Sequence, residues 1–466
     1  MMLTPKQVVE IVEAHADKLA VNAELIDIYE NNLTQYIDDE LRKQLSPESY
    51  SQARMRLCPI NILPKIIDKL TNIYQGAVSR MVVGGTKTDE QLVEYYVDMF
   101  DMNDTMNSAN ELYNLCRSTI LYPTIKSGKP TLLYLRNDRV IPYAADPECP
   151  TKMTHLILIY KNGPADTVYF TWSDESIMAS DSTGRMRPEL LAAIGNPDGL
   201  NPFGVLPFVY PNDSKFDVMP AADIDALKIV KLLPVQLTDL NLAAMYQSFS
   251  VLYGINIDEQ DLKMMPNAFL RFKSDPSSDK EPKIGVIKPE VDYEQVLKLI
   301  ETELSMWLGT KGVRASTVGG LSQDNYASGI SKIIDEMDTF EARQKQVTVF
   351  KKTESQLWDL IINYIHPYWV STGVLNAPNF TPGIGVNTEF AVQLPMQSRG
   401  VIIKDLKEEY AAGFISLKRA IAKANPEKSE KEVLELIAEI EAERSGRMEL
   451  EAPTTVEVED DASAES

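Results

Sequence analysis

One stretch, residues 292–367, constrains the fold more than any other. It predicts a helix (DYEQVLKLIETELSMWLG), a polar loop with glycines, and a second helix that starts near Ala327 and meets no proline before Pro367. Apolar residues of the second helix recur mostly at intervals of three and four, the pattern of an amphipathic helix. About 40 helical residues make a rod of roughly 60 Å, whereas an average helix has about 11–12 residues. Globular enzyme cores rarely need such a rod, but large assemblies often do.

The loop between these two helices is longer than a connection requires. It spans residues 310–325, about sixteen in all, whereas helix–helix connections usually take about 2–8. It contains Gly312, Gly319 and Gly320 and is otherwise largely polar. Its excess length favours a mobile functional loop over a simple turn.

Composition excludes several classes of protein. The chain has 466 residues, of which 44% are apolar and 24% charged, so we expect two or three folded domains. The formal net charge is −22. That charge argues against holding nucleic acid by neutralising its phosphates, but it is compatible with letting nucleic acid slide past.

The sequence offers no catalytic or metal-binding constellation. The three histidines and three cysteines are widely spaced, which predicts structural histidines, buried thiols and no zinc site or disulfide framework. Residues 84–88 (GGTKT) lack the contiguous Gly-Lys-Ser/Thr of a P-loop and predict a turn. No apolar run reaches the roughly 20 residues that span a bilayer, and no secretory signal is present. We therefore expect a cytoplasmically made protein without cofactor, metal or membrane contact.

The first half of the chain predicts helices followed by strands. Residues 2–57, 63–81 and about 87–120 have helical patterns. From Tyr122 to about Tyr210, short β-rich runs separated by turn residues predict an antiparallel meander of five to seven strands.

The second half predicts mainly helices around a small insert. A long helix over residues 220–253 should be kinked or broken at Pro234. The insert, residues 254–290, predicts two strands (AFLRF and KIGVIK) and is too small to bury a core of its own. After Pro367 we expect a strand at 386–394, helices at about 398–424 and 428–444, and an acidic, disordered tail.

This order of elements resembles the portal proteins of tailed bacteriophages, the head-to-tail connector family, over roughly residues 60–445. NPFGVLPFVYPNDS before a long helix resembles the passage into the first stem helix. RASTVGGLSQDNYASGI resembles the tunnel loop that leads into the long wing helix. EEYAAGFISLKRAIAKANPEKSEKEVLELIAEIEAE resembles the crown.

The resemblance implies a mainly helical α+β fold with an α/β wing, two stem helices, a small α/β clip, a long wing helix and a helical crown. It divides the chain into a wing (1–218), first stem helix region (219–253), clip (254–290), second stem helix (291–311), tunnel loop (312–326), long wing helix with returning strand (327–397), crown (398–446) and tail (447–466).

The resemblance also implies a role without catalysis. Portal proteins form rings of about twelve subunits at one capsid vertex and conduct double-stranded DNA during packaging and ejection, without reading its sequence. Expected partners are other copies, the large terminase, the head–tail adaptor or connector, and the major capsid and scaffolding proteins. Such a protein is assembled in the host bacterial cytoplasm and resides in the virion.

Two sets of residues are candidates for these contacts. The loop set should meet DNA in the channel: Lys311, Arg314, Ser316, Thr317, Gly319, Gly320, Gln323 and Asn325. The clip set should dock the terminase and later the connector: Arg271, Phe272, Lys273, Lys280 and Lys283.

Two other functions remain open on the sequence. Asp324, Asp335 and Asp338 could hold Mg²⁺ in a nuclease, although a solvated acidic helix face is the commoner meaning of such residues. A helical scaffold built on the long helix is the third reading, but the apolar spacing drifts rather than keeping a heptad.

Overall fold

The computed structural model describes most of the chain, and its fold is α+β and mainly helical, as predicted. The described residues are 2–76, 78–161, 166–248, 251–255, 283–287, 292–313, 329–391, 399–425, 434 and 436–439. They belong to two compact units. The larger comprises Met1–Asn325 and Met337–Gln393, and the smaller comprises Tyr326–Glu336 and Leu394–Ser466.

Helices predominate in the first part of the larger unit. Thr4 begins the first of them with a capping box to Gln7, which satisfies backbone N–H groups that a helix start leaves without partners. The helices are α1 (Pro5–Ala14), α2 (Ala16–Tyr29), α3 (Leu33–Gln44), α4 (Pro47–Arg54), α5 (Leu63–Leu70), α6 (Lys87–Met99) and α7 (Met102–Cys116).

The predicted strand region contains six strands in two antiparallel sheets. β2 (Ile120–Lys126) pairs with β3 (Lys129–Leu135), and a four-stranded sheet has the order β4-β5-β6-β7. The last four strands are β4 (Val140–Tyr143), β5 (His155–Lys161), β6 (Thr167–Trp172) and β7 (Ile177–Asp181), followed by the short helix α8 (Pro188–Ala193). The number of strands agrees with the prediction, but the strands end well before Tyr210.

The helix predicted over residues 63–81 is wrong in its second half. α5 ends at Leu70, and Val78–Val83 forms strand β1. β1 pairs antiparallel with β10 (Gly385–Phe390), a strand far along the chain that the sequence did predict. This valine-rich segment is a strand because it pairs with a distant strand and packs one of its faces against the core. Strand preference reflects such packing more than intrinsic propensity.

The helix predicted over residues 220–253 also needs correction. α9 (Ile224–Ser248) continues through Pro234, so the proline does not end it. A proline costs a helix interior about 3 kcal/mol, and burial of Val230, Leu233 and Val235 around it offsets that cost. The segment Val251–Ile255 is strand β8, paired with β9 (Lys283–Ile287). The predicted strand KIGVIK is therefore present with a different partner, and AFLRF lies outside the described residues.

The long helix is present and extends further than predicted. α10 (Tyr293–Thr310) precedes it, and α11 (Gly329–Leu360) runs through a π-helical turn (Ile361–Ile365) into α12 (His366–Ser371). Pro367 does not stop it, since it falls in the first turn after the π-helical turn, where its missing N–H is tolerated.

The smaller unit contains two helices where one was predicted over residues 398–424. α13 (Arg399–Ala411) and α14 (Leu417–Ala424) are separated by a turn in which Gly413 has φ +77°, a conformation that favours glycine. Leu434 and residues 436–439 are helical, and the rest of the predicted last helix and the tail lie outside the described residues. Among the described helices, none has the length and apolarity to cross a membrane.

A buried ion pair connects the long helix to the β1–β10 sheet. Arg80 on β1 donates from Nε and Nη2 to the carboxylate of Glu354 on α11, at 2.7 and 2.8 Å. The carboxylate also accepts from the hydroxyls of Tyr74 and Thr388, each at 2.9 Å. The Arg80 and Glu354 side chains are 4% and 0% exposed. The Glu354 carboxylate thus accepts four hydrogen bonds, two of them from a cation. A buried charge is tolerated when it is paired and hydrogen-bonded in this way.

We expect Glu354→Leu to lower the free energy of unfolding by about 3–5 kcal/mol, because the Arg80 charge would stay buried without its partner. Urea unfolding would measure the loss, with Arg42→Met at an exposed ion pair as the control that should change little. The double variant Arg80→Met/Glu354→Leu should cost less than the sum of its single changes. Simple additivity would show that the two charges are not coupled.

A second buried carboxylate, Asp89, joins the start of α6 to the segment before β10. It accepts from the backbone N–H and hydroxyl of Thr86 and from those of Thr381, at 2.7–2.9 Å. Burial by itself would raise the pKa of Asp89, but these hydrogen bonds hold it well below its ordinary value of 3.8.

Asp89→Asn should therefore reduce stability by about 2 kcal/mol at neutral pH, because an amide cannot accept all four hydrogen bonds. The depressed pKa means that the stabilisation is present above the ordinary value and is lost as pH falls below it. The difference in the free energy of unfolding between wild type and Asp89→Asn, measured by chemical unfolding, should accordingly narrow below about pH 4. The exposed residue Asp104 supplies the control Asp104→Asn, and a gap that stays constant with pH would contradict the assignment.

Candidate functional site

The two helices α9 and α10 form an antiparallel pair. Residues near the start of α9 lie against the end of α10, and Gln236 Nε2 donates to Glu303 Oε2 at 3.1 Å further along. Val230, Leu304 and Leu308 are buried between them, together with residues of α2, α3 and α5. The pair is thereby fixed to the N-terminal helices along its inner side.

The outer faces of this pair expose apolar side chains. Met306 on α10 is 71% exposed, and the others are Ile224, Leu232, Leu297 and Leu299. Leu299 and Met306 are seven residues apart and so share one face of α10, and neighbouring exposed apolar side chains mark a candidate interaction surface.

The chain leaves the helix pair at its two ends in different ways. At one end, α9 leads to β8 and β9 leads back to α10, with Val251 opposite Ile287. The residues of the clip between these strands lie outside the described residues. At the other end, α10 stops at Thr310, and the described chain continues to Val313, the second residue of the predicted tunnel loop.

One polar cleft lies at the entry to that loop. The cleft has a volume of about 430 Å³ and is lined by Thr310 and Lys311 at the end of α10, by Lys345 and Gln346 from α11, and by Arg117 at the end of α7. It lies where the chain enters the loop, so we refer to it as the loop neck.

An amide network fixes α11 to α7 beside the loop neck. Gln346 Nε2 donates to Asn114 Oδ1 at 2.9 Å, and Asn110 Nδ2 donates to Gln346 Oε1 at 3.0 Å. Arg117, which has a left-handed backbone (φ 60°), lies 3.7 Å from Asp213. These contacts fix the side of the loop neck that α7 and α11 form.

Of the residues predicted to meet DNA, the structure describes Lys311. It lies directly after α10, and its ammonium pairs with the carboxylate of Asp223, which precedes α9. This ion pair therefore links the end of α10 to the start of α9. The remaining members lie outside the described residues: Arg314, Ser316, Thr317, Gly319, Gly320, Gln323 and Asn325.

Of the predicted clip residues, Lys283 is the first residue of β9. Arg271, Phe272, Lys273 and Lys280 lie outside the described residues. Two cations at the loop neck, Arg117 and Lys345, were not singled out from the sequence. Arg117 follows a helix and Lys345 lies within one, so only tertiary structure brings them to the cleft that Lys311 also lines.

The described residues form no group of three or more acids, histidines and cysteines that could hold a metal. The side chains of Asp324, Asp335 and Asp338 lie outside that description, so the nuclease hypothesis is not tested. His366 is fully buried, with Tyr96 Oη 2.8 Å from Nδ1 and the Pro378 carbonyl 2.9 Å from Nε2. Burial lowers its pKa, opposed by the hydrogen bond to Pro378. This arrangement agrees with the structural role predicted for it.

The chain has distant structural likenesses among known proteins. No protein-family model and no curated protein sequence matches the chain. Among solved structures, a chain of the neck of an empty gene transfer agent particle is similar with a TM-score of 0.39 and 10% identity, covering 79% of this chain and 90% of that one. A chain of the virion of a native gene transfer agent particle also has a TM-score of 0.39, with 11% identity and 82% and 94% coverage. Likenesses at this level establish neither a shared fold nor a shared role.

A double-mutant cycle on Lys311 and Asp223 tests whether Lys311 is structural. Both side chains are partly buried, so we expect Lys311→Met and Asp223→Asn to show a coupling of about 0.5–1 kcal/mol in thermal or chemical unfolding. Lys345→Met, at an exposed position of the same cleft, is the control and should not couple to Asp223→Asn. Zero coupling would mean that Asp223 does not fix Lys311, and Lys311 would then be one of the cations available to DNA.

Proposed function

We propose that this chain is a portal protein of a tailed bacteriophage. About twelve copies would form a ring at one capsid vertex, conduct double-stranded DNA during packaging and ejection, and act without catalysis or cofactor. The observation that carries the proposal is that the two ends of the α9–α10 pair differ. The β8–β9 strands lie at one end, and the loop neck lies at the other.

This difference between the two ends of the helix pair suits a channel subunit. α9, with 25 residues, has a length of roughly 38 Å at about 1.5 Å per residue. The clip segment and the tunnel loop would therefore be held far apart, one for docking and one inside the channel. In the proposal the clip binds the large terminase first and the head–tail connector later, through Arg271, Phe272, Lys273, Lys280 and Lys283.

The exposed apolar faces of α9 and α10 support assembly. In a ring, each subunit uses two different surfaces against its two neighbours. Neighbouring helix pairs would cover side chains such as Met306 and Leu299, which a single chain leaves in water. The remaining surfaces of the wing and the crown would contact the major capsid and scaffolding proteins in the virion.

The charge of the chain suits conduction rather than capture. Binding that depends on phosphate contacts strengthens with each added cation, and this chain carries 68 acidic against 46 basic residues. A few loop cations such as Arg314 would then touch the duplex backbone without reading bases. In this arrangement DNA slides, and a separate motor supplies the force.

Deletion of residues 318–320 from the loop tests the function. We expect rings of normal size by native mass spectrometry, because the α9–α10 pair that precedes the loop is packed on the N-terminal helices without it, and at least a tenfold fall in nuclease-protected DNA per particle. A deletion of residues 459–461, equal in length and in the acidic tail, is the control and should package normally.

Either of two results would count against this assignment. Loss of the ring on the loop deletion would make the loop an assembly element. Normal packaging with intact rings would remove the loop from the channel.

A further inference from the structure

A short segment between α12 and β10 is held at both of its ends by ionisable side chains. It comprises residues 378–381, and we refer to it as the strap. At its first residue, the carbonyl oxygen of Pro378 lies 2.9 Å from Nε2 of His366. At its last residue, the backbone N–H of Thr381 donates to Oδ1 of Asp89 at 2.9 Å, and the Thr381 hydroxyl donates to Oδ2 at 2.8 Å. The strap is thereby tied to α12 at one end and to α6 at the other.

The contacts of His366 fix which ring nitrogen carries the proton. A carbonyl oxygen can only accept, so Nε2 must carry the hydrogen that it donates to Pro378. Nδ1 is then the acceptor of the neutral ring, and the hydroxyl of Tyr96, 2.8 Å away, donates to it. The His366 side chain is fully buried. The neutral imidazole therefore has both of its nitrogens satisfied, one by the strap and one by α6.

Aromatic rings surround this imidazole. The ring centroid of Phe380, the third residue of the strap, lies 4.7 Å from that of His366, and the ring centroid of Tyr96 lies 5.8 Å from it. The other titratable group that α6 brings near is Tyr95, whose ring contacts Tyr96. Within the described part of the chain, no charged side chain pairs with His366. The pocket is thus suited to a neutral ring and offers no counter-ion to a charged one.

A second proton on the ring would break this arrangement. Nδ1 would become a donor facing the Tyr96 hydroxyl, whose own O–H would then lose its acceptor. The new charge would also be buried without a partner, which is unfavourable. Burial accordingly lowers the pKa of His366 from its ordinary value of 6.5, although the hydrogen bond to Pro378 opposes that shift. The closed strap therefore excludes a proton that the open strap would accept, and the closed state loses stability as pH falls below 6.5.

The other end of the strap responds to acid over a lower range. Burial by itself would raise the pKa of Asp89, but hydrogen bonds from Thr381 and Thr86 hold it well below its ordinary value of 3.8. The Asp89 carboxylate therefore stays ionised in mild acid and continues to bind Thr381. Strand β10 begins shortly afterwards, at Gly385, and is paired with β1. Any opening in mild acid should accordingly stay local to the Pro378 side of the strap.

We propose that the strap is an acid-sensitive element: in mild acid, uptake of one proton by His366 releases Pro378 and Phe380 from α12 and α6, while Asp89 keeps Thr381 bound. Release exposes the aromatic side chain of Phe380 and leaves the remainder of the larger unit folded. The proposal goes beyond the proposed function and does not depend on the formation of a ring.

Native-state proteolysis measures how often the strap opens. Phe380 is 7% exposed, so chymotrypsin should cut after it only in the open state, and the cleavage rate then follows the open population. Rates at each pH are normalised to an unfolded peptide of the same sequence. We expect the normalised rate at Phe380 to rise by up to about tenfold from about pH 7.5 to about pH 5.5, the limit for one proton with an ordinary value of about 6.5.

His366→Gln is the decisive variant. Its amide can still donate to the Pro378 carbonyl, but glutamine takes up no proton in this range. The normalised rate at Phe380 should then change by less than about twofold over the same interval. His155→Gln, which removes another buried histidine on β5, is the control and should keep the full rise. A rise that persists in His366→Gln would overturn the proposal.

The shape of the wild-type curve is a second measurement, which needs no variant. The rise should begin near about pH 6.5 and approach a slope of one proton. A wild-type rate that stays flat down to about pH 5.5, or that rises only below about pH 4.5, where carboxylates titrate, would contradict the role of His366.

Discussion

The fully buried carboxylate of Glu354 fixes the long helix α11 against the two-stranded sheet. Four donors reach it from β1, β10 and the segment before β1, so the helix cannot slide or rotate without leaving a charge unpaired. That cost, several kcal/mol for one buried ion, is comparable to much of the stability of a typical domain. The position of the loop neck follows from it, because α11 forms one side of that cleft.

The sequence predicted local elements well and distant pairings poorly. Amphipathic spacing identified α10, α11 and the N-terminal helices, since that pattern is contained in the segment itself. It failed at β1, whose partner strand lies at the other end of the larger unit. Glu354 was a missed signal, because it interrupts the apolar stripe that Phe350 and Leu357 define, and a charge in such a position indicates a buried partner.

The candidate contact residues show the same difference between local features, which the sequence predicts, and distant pairings, which it does not. The loop and clip were predicted from their position between helices, but most of their individual side chains lie outside the described residues. Lys311 could not be assigned from the sequence, because its pairing with Asp223 depends on the packing of α9 against α10.

Imaging of the purified chain tests the portal assignment most directly. Projection averages along the symmetry axis should show closed rings of about twelve subunits around a channel wide enough for duplex DNA, and the rings should persist over a range of salt concentrations. A chain that stays monomeric under all of those conditions, or that assembles into open filaments, would contradict the account.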